Sequence, residues 1–133
     1  MRLADTPPRG GLIEELGGAP RVLLLTLAQI ERFEDLAGSI YAVYDGLIGR
    51  GATPKLRTLR TLVALALVGG GMSEAEADRV VAAEAQPENA LRLRQVALGT
   101  LGAAFVPDWD DDGDGEEDGG AEKTTGAATE GTA

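Results

Sequence analysis

The chain has 133 residues, 12 Lys+Arg against 22 Asp+Glu for a net charge of −10, and neither cysteine nor histidine. That length suits one domain with a core of its own. The missing residue types exclude a disulfide framework, a thiol nucleophile, a Cys- or His-based zinc site and any His-dependent general base or Ser-His-Asp triad, so metal chemistry could use only oxygen donors.

The charge is unevenly spread. Residues 1–107 carry 11 Lys+Arg and 12 Asp+Glu, a net of −1, whereas residues 108–133 carry Lys123 and ten acidic residues, a net of −9. A near-neutral domain with an acidic tail gives no electrostatic reason to expect nucleic-acid binding. The most apolar run, Leu62 to Val68, has seven residues, far short of the ~20 that span a bilayer. The opening Met1-Arg-Leu-Ala-Asp-Thr-Pro-Pro8 has no signal-peptide run. No membrane is expected, and the cytoplasm is the expected compartment.

In chain order, residues 1–9 form a flexible lead-in. Gly11 to Leu16 and Arg21 to Thr26, separated by Gly17-Gly-Ala-Pro20, predict a β-hairpin. Val22 to Leu25 is apolar on both faces, so helices should cover the second strand. Thr26 is a candidate N-cap for a helix to about Ala37, with Leu27, Ile30, Phe33 and Leu36/Ala37 expected on its apolar face. Ser39 caps a second helix with Ile40, Val43, Tyr44, Leu47 and Ile48 at amphipathic spacing. Pro54 suits the first turn of a third, with Leu56 and Leu59 inward. Its second half, Leu62 to Val68, is apolar all round and marks the central helix, and Gly69-Gly-Gly71 ends it.

Ser73-Glu-Ala-Glu76 reads as a capping box opening a fourth helix to about Ala85, with Ala77, Val80 and Val81 inward. Pro87 opens a fifth to about Phe105, with Ala90, Leu93, Ala97, Leu98, Leu101, Ala104 and Phe105 on one side. Gly99 and Gly102 lower its helicity, and close approach of a neighbouring helix is the expected reason for them. The expected architecture is α+β and predominantly helical: an N-terminal hairpin and about five helices in a single domain over 10–107, then a disordered acidic tail over 108–133.

The start of that tail resembles a calcium loop. Asp108, Asp110, Asp112 and Gly113 match positions 1, 3, 5 and 6, and Asp114 adds a carboxylate. Position 12 is Gly119 rather than a bidentate Glu, and position 8 is Gly115. A solvated appendage is expected, with a calcium-responsive or acid-mimic binding module as the alternative. Trp109, the only tryptophan, is either an interaction anchor or folds back with Phe105 and Val106 over the domain's end. Tyr44 is expected in the core, and Tyr41, off the apolar face, is the better partner contact. Arg57, Arg60, Arg92 and Arg94 form either a small basic patch or scattered ion pairs. The adjacent pairs Glu14-Glu15 and Glu34-Asp35 point to different faces and make no acid/base couple. The Gly-rich segments lack the P-loop context. No enzyme, cofactor or metal is expected.

The ordered set Arg9-Gly-Gly11, Leu25-Thr-Leu27 with Ile30, Phe33 and Glu34, Gly38-Ser-Ile40, Leu62 to Val68, Gly70-Gly-Met-Ser-Glu-Ala-Glu-Ala77 and Leu98 to Phe105 resembles the gene transfer agent family of small tail proteins, a group of phage tail assembly chaperones. The resemblance covers roughly residues 9–105. It implies a protein that binds the long helical tape measure protein during tail assembly, helps recruit the tail tube subunit, and is absent from the finished particle. It supplies no catalytic residues and does not extend to the acidic tail. Homo-oligomerisation, stoichiometry and a frameshifted longer product stay open.

Overall fold

The computed structural model describes residues 6–106. It opens on the expected hairpin, β1 (Gly11–Leu16) against β2 (Ala19–Leu24), antiparallel from Gly11↔Leu24 to Leu16↔Ala19. The loop is only Gly17-Gly18, with φ of 62° and 83°. Two successive left-handed residues make the tight hairpin turn that glycine alone adopts freely. Because the turn is that short, β2 begins two residues before the expected Arg21. Pro20 enters the ladder opposite Glu15, which a sheet made only of edge strands tolerates.

Five α-helices follow: α1 (Leu27–Ala37), α2 (Ile40–Leu47), α3 (Leu56–Gly69), α4 (Glu74–Glu84) and α5 (Ala90–Phe105). Three start at the expected caps. Thr26 Oγ1 accepts from the Gln29 N–H at 3.3 Å, Ser39 Oγ from Ala42 at 3.2 Å and Ser73 Oγ from Glu76 at 3.2 Å, each satisfying an amide with no partner inside its helix. Pro87 opens a single 3-10 turn, Pro87–Asn89, which leads into α5. Helix α3 starts at Leu56 behind an N-cap, Lys55, that makes no side-chain cap bond, so Pro54 precedes the helix and does not form its expected first turn.

Helix α3 is the centre of the fold. It packs against α1, α4, α5 and β2 and buries Leu59, Leu62, Val63, Leu65, Ala66 and Leu67. These join Leu16 and Leu23 of the hairpin, Phe33, Val43, Val80, Val81, Leu93 and Leu101 in one core. The three glycines after it divide their work. Gly71 takes φ 114° and turns the chain. Gly69 and Gly70 lie on the backbone of β2, where an added Cβ would overlap the carbonyl oxygens of Leu24 and Val22. The hairpin is also tied from its outer side. Glu84 Oε2 accepts from the Gly17 N–H at 2.9 Å, and Arg92 donates to the Glu15 carbonyl with Glu14 3.8 Å away.

Several expectations about inward residues are corrected. Leu27 and Leu36 are 70% and 65% exposed, and only Phe33 of α1 is fully buried. At about 100° per residue, Leu27 stands roughly 120° from Phe33 and Leu36 roughly 60° to the other side, so Ile30 and Ala37 flank the core instead. Leu56, in the first turn of α3, is also exposed. In α5, Gly99 faces a strand rather than a helix: a Cβ there would come within 3.2 Å of Leu12 Cδ2, while Gly102 has open space. Thr100 is buried and donates to the Val96 carbonyl at 2.7 Å, which lets a hydroxyl sit in the core.

Candidate functional site

Among the described residues, a groove runs over α3, between α1 and α4. Its floor is the stripe Arg57, Arg60, Thr61, Ala64 and Val68, at the spacing that puts residues on one helix face. Leu36 and Arg32 of α1 form one wall, and Glu74, Asp78 and Val81 of α4 the other. Two adjoining hollows of about 190 and 300 Å³ share Thr61, Ala64 and Asp78. The floor of the middle is made of the small residues Thr61 and Ala64. The stripe from residue 57 to 68 runs about 17 Å at 1.5 Å per residue, room for some three turns of a docked helix.

The ends of the groove differ in charge. At one end Arg32 Nη1 sits 2.6 Å from Glu74 Oε2 and bridges the two walls. The Arg32 hydrogen bond, then its charge, hold the Glu74 carboxyl below the usual carboxylate range, and the same bond raises Arg32 further. At the other end, Arg57 and Arg60 are exposed and have no carboxylate within 4.0 Å among the described residues. The four arginines of the expected patch are therefore split. Arg57 and Arg60 mark the groove, Arg92 serves the hairpin, and Arg94 is half-buried on α5.

The two tyrosines lie elsewhere, around the end of α5. Tyr44 is half-buried and meets Phe105 edge-on at 5.2 Å, with their planes 71° apart. Tyr41 is 71% exposed, yet stacks on the same ring at 6.0 Å and 29°. The core role expected for Tyr44 and the exposure expected for Tyr41 both hold. The partnership through Phe105 was not visible in the pattern, because it joins residues some 60 positions apart. Trp109 and the calcium-like carboxylates Asp108, Asp110, Asp112 and Asp114 lie outside the described residues. Among the described residues no three His, Cys, Asp or Glu side chains gather as metal ligands, and no helix is long and apolar enough to cross a membrane.

The groove itself escaped sequence reading. Leu36 reads as core, Ala64 falls in the stretch Leu62 to Val68 that is apolar all round, and Thr61 carries no signal of its own. One signal was available: from Gly46 to Ser73 the chain has Arg50, Lys55, Arg57 and Arg60 and no acidic residue. No family model, curated protein or solved structure matches the chain.

Proposed function

We propose that this chain is a non-enzymatic assembly chaperone for a phage-like tail of the gene transfer agent kind. In this reading it acts in the cytoplasm, holds the tape measure protein as a long apolar-striped helix, and helps recruit tail tube subunits. The observation that supports it best is the open stripe on α3. A domain this small leaves the middle of its central helix uncovered, floors it with Thr61, Ala64 and Val68, and sets an exposed Leu36 beside it. Small floor residues let a second helix approach closely, and the apolar wall gives it area to bury, as in helix-in-groove recognition. A tape measure helix has the matching problem: its apolar stripe aggregates unless it is covered.

The test is co-expression of this protein with a helical fragment of the tape measure protein encoded beside it. The fragment should move into the soluble fraction and co-purify with the chain. A fragment equally insoluble with and without this protein would overturn the reading.

A further inference from the structure

The four cations between Gly46 and Ser73 stand on one continuous piece of chain, the loop after α2 and the first turns of α3. Arg50, Lys55, Arg57 and Arg60 are all exposed. None has a carboxylate within 4.0 Å among the described residues. A near-neutral domain that keeps four cations without a single acid between them has a surface suited to an anionic partner. The same chain supplies one. Residues 110–118 hold seven carboxylates, Asp110, Asp111, Asp112, Asp114, Glu116, Glu117 and Asp118.

The covalent path is short. Helix α5 delivers the chain at Val106 beside α2, where Phe105 packs on Tyr41 and Tyr44, and α2 runs directly into the loop that carries Arg50. Three residues separate Val106 from Asp110, and nine extended residues span about 30 Å, more than the length of α3. Tethering also raises the local concentration of the acidic segment to about the millimolar range. Exposed ion pairs, weak one by one and screened by salt, can then hold it in place together.

We infer that the acidic segment Asp110–Asp118 docks in cis on the cationic surface formed by Arg50, Lys55, Arg57 and Arg60. That surface adjoins the basic end of the groove over α3, where Asp78 of the α4 wall marks its limit. The inference uses the same groove as the proposed function but needs no client, so the two stand or fall separately.

The chain has no cysteine, so a nitroxide on Glu117→Cys labels one position of the full-length protein. Amide signals of residues 50–60 should fall to less than half their intensity at 20 mM salt and recover at 300 mM. Amides around Gln29, against the far end of α3, should lose much less. Arg57→Glu with Arg60→Glu should abolish the loss. Mixing spin-labelled chain with unlabelled, isotope-enriched chain should produce none, since docking is within one molecule. Attenuation no stronger at residues 50–60 than around Gln29 would overturn the inference. So would attenuation that ignores salt or survives charge reversal, or that appears in the mixed sample. The salt arm stands on the unreversed chain even if the double variant misfolds.

Discussion

Helix α3 meets the rest of the molecule in two opposite ways. Where its C-terminal end crosses β2, Gly69 and Gly70 touch strand carbonyls so closely that no side-chain carbon fits. Along the groove, Thr61, Ala64 and Val68 of the same helix have hollows above them and an exposed leucine beside them. The crossing fixes the hairpin to the helical layer and is a matter of stability. The groove adds little to the fold, and its openness is what leaves it free for a partner. Small residues occur in both places, at the crossing because a neighbour already touches them and along the groove with open space above them.

The contrast is tested hardest at the crossing. Gly70→Ala should destabilise the protein by about 3 kcal/mol, because the new Cβ meets backbone that cannot move aside. Chemical denaturation measures it, and a loss within the error of wild type would remove the distinction between the two faces. Gly102→Ala sharpens the same point from the other side. It lies in a helix with open space where the Cβ would go, so it should stabilise by up to about 1 kcal/mol.

The smallest expected effect is at the mouth of the groove. Glu74 has its folded-state pKa lowered by Arg32. Its contribution is therefore fully present above the unfolded carboxylate value near 4.5 and is lost as pH falls through the lower folded value. Glu74→Gln should flatten the acid limb of the stability–pH curve slightly and leave neutral pH nearly unchanged. An unaltered acid limb would mean that the bridge between α1 and α4 contributes nothing.

Helices α2 and α4 were the most legible because each carries two agreeing local signals, a cap and an apolar period: Ser39 with Ile40, Val43 and Leu47, and Ser73 with Ala77, Val80 and Val81. The hairpin was legible in kind but not in register, since Gly17-Gly-Ala-Pro20 does not announce that only its first two residues form the turn. Gly69-Gly-Gly71 reads as a stop, and the stop hides two packing glycines that local sequence cannot tell from a terminator. Leu36 was misplaced because an apolar residue at the flank of a stripe looks the same whether a neighbour covers it or not. The groove was out of reach for a similar reason. Its walls come from residues 32–36 and 74–81 and its floor from 57–68, and only the packing of three helices brings them together.

The most direct measurement fills the groove and leaves the crossing alone. Ala64→Trp puts a large ring over the floor of α3, above a hollow of about 190 Å³. Co-purification of the tape measure fragment is then compared with that of wild type, alongside thermal unfolding of the free protein. The expected result is a Tm within a few degrees of wild type with retention of the fragment lost. A variant that folds as well and holds the fragment as well as wild type would contradict the assignment of the groove as the client-binding surface.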